Sequence, residues 1–121
     1  MTLTCLATSN DGKELFGVSK DGNKLYKINT NTGIATKFSD DTFQSINHWG
    51  RHCAMATDGY FYYLNSGSEI WYMDTNSDSD KNSYKKGNVP AHHDQFYSAV
   101  MIQDTLLITS SGYTDAIDVG V

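Results

Sequence analysis

The chain has 121 residues, a length that suits one domain with a single core and is short for two. Its 9 Lys and Arg face 14 Asp and Glu, a net charge of −5 with a pI near 5.1, which argues against a basic nucleic-acid footprint. Only 19% of residues are charged while 12% are aromatic, so the composition is not that of a disordered chain, and eight Tyr with a single Pro lean toward β structure.

The opening Met1-Thr2-Leu3-Thr4-Cys5-Leu6 has no basic stretch and no apolar run of signal-peptide type. No apolar segment approaches the ~20 residues that cross a bilayer, so no membrane partner is expected. Cys5 and Cys53 have no Cys-x-x-Cys partner, which excludes a zinc knuckle or a thioredoxin-like pair. Two buried free thiols packing as small hydrophobes are the preferred reading, with a disulfide between neighbouring strands as the alternative. The cytoplasm is the default compartment, and secretion stays open.

Strand-turn alternation then runs through the chain. The first unit reads Leu6–Thr8, a turn at Asp11-Gly12, Glu14–Val18, a turn at Asp21-Gly22-Asn23, Lys24–Asn29, a turn at Asn31-Thr32-Gly33, and Ile34–Phe38. The second repeats that grammar with Cys53–Ala56, Asp58-Gly59, Tyr60–Leu64, Ser66-Gly67, Glu69–Asp74 and Ser83–Lys86. The third has Tyr97–Ile102, Thr105–Thr109, a turn at Ser111-Gly112 and Ala116–Val119, without a fourth strand. The two Asp-Gly turns stand 47 residues apart, and Leu25 and Ile70 stand 45 apart. Four short strands per period of about 40–50 residues is the pattern of β-propeller blades, each a sheet that must bury both faces against neighbours. The expected fold is all-β, with blades near 1–40, 48–88 and 93–121 and the third incomplete; a β-sandwich or barrel is the alternative.

Asn10-Asp11-Gly12-Lys13-Glu14-Leu15-Phe16-Gly17-Val18 followed by Lys24-Leu25-Tyr26-Lys27-Ile28-Asn29-Thr30-Asn31-Thr32-Gly33 resembles blades of the YVTN or lactonase-like propeller superfamily. The resemblance implies architecture and assigns no functional residue. Closed propellers need about four to eight blades, more than this chain supplies. Copies are therefore expected to complete a ring, a dimer being favoured, in the way that small tandem-blade lectins do; a piece of a longer propeller is the other explanation.

In such a ring the linkers between blades gather on one face. Here they carry residues 41–52 and 89–96, which hold all four His, one Trp and the single Arg. Asn47, His48, Trp49, Arg51, His93, Asp94 and Tyr97 form the candidate ligand set. Aromatic faces beside hydrogen-bonding groups suit a sugar, with its apolar ring face and many hydroxyls. Metal binding by His48, His52, His92, His93 and Asp94 is weighed below this, because adjacent His92 and His93 point to opposite sides of an extended chain. Satisfied loop histidines and a packing Trp are the ordinary alternative. Residues 74–80 alternate acidic groups but have Ser79 and Lys85 where a calcium loop needs Gly and Glu, so a solvated turn is expected. There is no Gly-x-Ser-x-Gly elbow and no phosphate-cradling Gly loop, so no catalytic residue, metal or cofactor is assigned. The sequence thus points to a carbohydrate-binding recognition module. A lactonase-like hydrolase or lyase and a protein-interaction scaffold are the alternatives.

Overall fold

The computed structural model describes residues 1–9, 11–43, 52–64, 69–89, 98–110 and 113–120. These form three antiparallel sheets, each a sequential meander. The first is β1 (Leu3–Thr8), β2 (Leu15–Ser19), β3 (Lys24–Ile28) and β4 (Ala35–Thr42). The second is β5 (His52–Met55), β6 (Tyr60–Leu64), β7 (Glu69–Asp74) and β8 (Tyr84–Asn88). The third has three strands, β9 (Ser98–Ile102), β10 (Thr105–Ser110) and β11 (Tyr113–Asp118). Among the described residues no strand is exchanged between sheets, as a Greek-key sandwich would require, and each sheet packs on the next as an incomplete run of blades does.

The period-2 alternation of a strand explains the packing. In β6, Phe61 and Tyr63 face the first sheet and join Phe16, Val18, Leu25 and Met73 in one core cluster. Tyr62 and Leu64 face the third sheet and join Ile70, Leu106 and Ile108 in a second. A strand sandwiched in this way must be apolar on both sides, and Tyr60-Phe61-Tyr62-Tyr63-Leu64 is. Each fully buried side chain of this size contributes roughly 1.5–3 kcal/mol, so the two inter-sheet cores dominate over exposed ion pairs such as Lys27–Glu14. The outermost β8, Tyr84-Lys85-Lys86-Gly87-Asn88, is polar and largely exposed, which protects a free edge from pairing.

Hairpin turns use residues that tolerate a left-handed backbone. Gly59 has φ 87°, and a Cβ there would overlap the Asn76 amide, which donates to the Asp58 carbonyl at 2.6 Å. Polar latches then join the sheets. Asp41 Oδ2 accepts from the Ser83 backbone N–H (2.6 Å) and hydroxyl (3.1 Å), the Ser39 hydroxyl donates to the Lys81 carbonyl, and Lys81 lies over the Phe38 ring. Between the second and third sheets, the Tyr62 hydroxyl donates to the Val119 carbonyl at 3.2 Å, and burial pushes that phenol well above its ordinary pKa.

The cysteines correct the sequence reading: Cys5 and Cys53 are joined in a disulfide, with Cα atoms 6.0 Å apart. The strand register explains it. Ala7 pairs with Phe16 as Ala54 pairs with Tyr62, so equivalent inner-strand positions lie 47 apart. The cysteines are separated by 48, one more than the repeat, which turns Cys53 toward the preceding sheet while Cys5 points to the following one. Adjacent inner strands therefore present their thiols to each other.

Candidate functional site

The geometry of the linkers follows from where the hairpin turns lie. The Thr57 hydroxyl, in the β5–β6 turn, donates to Asp104 Oδ1 of the β9–β10 turn at 2.8 Å. Ser9 and Asp11 of the β1–β2 turn share a cleft of about 240 Å³ with Thr57 and Asn76. The inner-strand turns of all three sheets thus lie at one end. In antiparallel meanders, β4 and β8 finish, and β5 and β9 begin, at the opposite end. Both linkers depart from and return to that second face.

Their departure points are fixed by packing. Phe43, immediately after β4, is fully buried, with ring centroids 5.8 Å from Phe61 and 5.1 Å from Tyr63, and its N–H donates to the Asn23 carbonyl at 2.9 Å. Val89, after β8, is buried in the core between the second and third sheets. Sequence reasoning had placed the first linker from Asp41 onward; the structure instead puts Asp41 and Thr42 in β4 and Phe43 in the core, because the last strand needs an apolar stop between two sheets. The return points are His52 and Ser98, the first residues of β5 and β9.

The predicted ligand residues Asn47, His48, Trp49, Arg51, His93, Asp94 and Tyr97 lie outside the described residues, as do His92 and Phe96. His52 is described: it is half-buried and pairs with Leu64 at the rim. At the start of β7, Glu69 Oε1 accepts from the Trp71 indole N–H at 3.3 Å, while Oε2 pairs with Lys85 at 3.0 Å. On the first sheet, the Ser19 hydroxyl donates to the Asp21 carbonyl at 2.8 Å and accepts from the Lys24 N–H at 3.1 Å, which fixes the β2–β3 turn.

Burial raises the pKa of the Asp41 carboxyl, but hydrogen bonds from the Ser83 and Thr42 N–H groups and the Ser83 hydroxyl outweigh it and hold the group below the ordinary range. It is a structural latch at the outer wall. The 74–80 segment lies between β7 and β8, where Asp74 accepts from the Asn76 N–H and Asp80 from the Tyr84 hydroxyl at 2.8 Å. Among the described residues, no group of three or more His, Cys, Asp or Glu is placed to hold a metal ion.

One cavity lies outside the predicted set. About 320 Å³ opens between the inner strands, walled by Ala7, Thr8, Met55, Ala99 and Met101 with Cys53. Its lining mixes apolar side chains with exposed polar atoms, and it lies where the inner strands of the three sheets meet. The signal in the sequence is the run of small residues in the inner strands, Ala7, Ala54 and Ala99, which leaves room beside the axis.

No protein-family model and no curated protein matches the chain. Solved structures do. A gluconolactonase from Xanthomonas campestris superposes with a TM-score of 0.58 at 15% identity, over 89% of this chain and 34% of that one. A luciferin-regenerating enzyme gives 0.61 at 18% identity, over 91% and 38%. The β-propeller domain of Cps50 (Swd1) from Myceliophteria thermophila gives 0.60 at 17% identity, over 96% and 38%. The chain therefore has the β-propeller fold, and it spans a little over a third of the length of these structures.

Proposed function

We propose that the chain is a non-catalytic recognition module that binds a carbohydrate on its linker face. The observation that carries this reading is the common anchoring of the two linkers. Phe43 and Val89 seat equivalent departure points in the two inter-sheet cores, and His52 and Ser98 are equivalent points of return. That arrangement supports a joint site for Asn47, His48, Trp49 and Arg51 from one linker with His93, Asp94 and Tyr97 from the next. Trp49 and Tyr97 supply flat apolar faces, and the polar members supply hydrogen bonds to hydroxyls. The Cys5–Cys53 bond supports an oxidising compartment over the cytoplasm.

A glycan array probed with the purified chain tests the reading. Binding to a defined sugar class is expected, lost on Trp49→Ala and weakened between about pH 7 and pH 5 as imidazoles that accept hydrogen bonds become protonated. A folded chain that binds no sugar overturns it. Turnover of a lactone, lost on His48→Ala and His93→Ala, would replace it with the hydrolase alternative.

A further inference from the structure

We infer that Asp21-Gly22 is a site of spontaneous covalent modification, at which the folded chain isomerises aspartate to isoaspartate through a cyclic imide. The chain carries this dipeptide three times, at Asp11-Gly12, Asp21-Gly22 and Asp58-Gly59. Glycine favours the reaction because no Cβ shields its amide nitrogen from the preceding side chain. The three sites share their chemistry, and what separates them is how the fold holds the two reacting groups. At Asp11-Gly12 both groups are held. Asp11 Oδ1 accepts from the Ser9 hydroxyl at 2.6 Å and the Lys13 N–H at 3.0 Å, while the Gly12 N–H donates to the Ser9 carbonyl at 2.9 Å. At Asp58-Gly59, Asp58 Oδ1 accepts from the Tyr60 N–H at 3.0 Å and the Gly59 N–H donates to the Ala56 carbonyl at 3.2 Å. The Asn76 amide, bonded to the Asp58 carbonyl, packs against Gly59 as well. Asp21-Gly22 lies in the β2–β3 turn, and both residues are exposed. There the Asp21 carboxylate and the Gly22 N–H have no hydrogen-bond partner among the described residues. The space beside Gly22 is open: a Cβ would meet the Lys24 side chain no closer than 3.7 Å.

The steps balance with water as the sole co-reactant. The Gly22 nitrogen attacks Cγ of the protonated Asp21 carboxyl. The N–Cγ bond forms, the Cγ–OH bond breaks, and the amide proton leaves with that hydroxyl as water. Water then adds to the Asp21 main-chain carbonyl carbon and breaks its bond to the Gly22 nitrogen. The original carbonyl becomes a free carboxylate, and the main chain runs on through Cβ and Cγ, one methylene longer. The change reaches the frame of the linkers. The Ser19 hydroxyl loses the Asp21 carbonyl to which it donates. The Asn23 carbonyl, which accepts from the Phe43 N–H at 2.9 Å, follows the inserted carbon by two residues, so the seat of the first linker shifts with the turn.

The test ages the folded chain at body temperature in mildly acidic buffer and maps its peptides. Isoaspartyl peptides keep their mass, change their retention, and are labelled by an isoaspartyl carboxyl methyltransferase. Isoaspartate should accumulate at residue 21 about tenfold faster than at 11 or 58, because reaction at those sites waits for two hydrogen bonds to open. In urea the three rates should converge. Asp21→Glu should abolish the signal at residue 21 and leave the other two sites as they were. Hydrogen exchange at Phe43 should quicken in the aged, folded wild type and stay unchanged in aged Asp21→Glu. Equal rates at the three sites of the folded chain overturn the inference. The same preference in urea overturns it too, since the bias then lies in the neighbouring side chains and not in the fold. Exchange at Phe43 that does not respond to ageing overturns the link from the turn to the linker.

Discussion

Removing the Cys5–Cys53 bond is the sharpest test of the inter-sheet register. The bond closes a sequence separation of 48 residues, and the chain-entropy relation gives a loop of that size about 4 kcal/mol at 25 °C. Against a typical total of ~5–15 kcal/mol, that is a large share. Urea unfolding followed by Trp and Tyr fluorescence should show it, with and without a phosphine reductant and in the Cys5→Ser/Cys53→Ser variant. At a slope of about 2 kcal/mol/M the midpoint falls by roughly 2 M. The effect should be local as well, because the bond ties β1 to β5. Hydrogen exchange in β1–β4 should quicken, while the core between the second and third sheets keeps its protection. Two thiols titrating in the native, unreduced protein would refute the pairing. A stability change below ~1 kcal/mol would refute the account of what it does.

Two further substitutions probe the frame beneath the linkers. Phe43→Ala should cost about 3–5 kcal/mol in urea unfolding, because the ring is fully buried against Phe61 and Tyr63. Asp41→Asn should cost about 1–2 kcal/mol at pH 7, discounted for partial exposure, by weakening the bonds from Ser83. The Asp41 carboxyl lies below its ordinary 3.8 in the fold, so its stabilisation is full above that pH and is lost as pH falls through the lowered value. Urea midpoints of wild type and Asp41→Asn should therefore draw together as the pH is lowered from 7 through the lowered value; a gap that stays constant over the whole acid titration refutes the latch.

The strands were legible because each had to satisfy two constraints at once. In Tyr60–Leu64 and Glu69–Asp74, turn residues bound a run that is apolar on both sides, and the observed strands have those bounds. The last strand of the first sheet was read too short. Its end, Ser39-Asp40-Asp41-Thr42, is polar in sequence and looks like loop. What keeps it extended is tertiary: the Ser39 and Asp41 bonds to the segment before β8, about 42 residues away. Phe43 was assigned to the linker for the same reason, since nothing local says that its ring turns inward between two sheets.

The disulfide, the second of the two readings of the cysteines, was available in the numbers as the better one. Local reading sees two isolated cysteines in apolar strands, and small hydrophobes in such places are ordinarily inert. The repeat carries more information than that. A separation equal to the 47-residue period would place both cysteines on the same side of neighbouring inner strands, pointing the same way around the axis. A separation of 48 reverses the second. The parity that turns one thiol toward the other also puts Leu6 and Ala7, and Val100 and Met101, on opposite faces of their sheets, so the staple and the division of each strand between two faces follow from one rule.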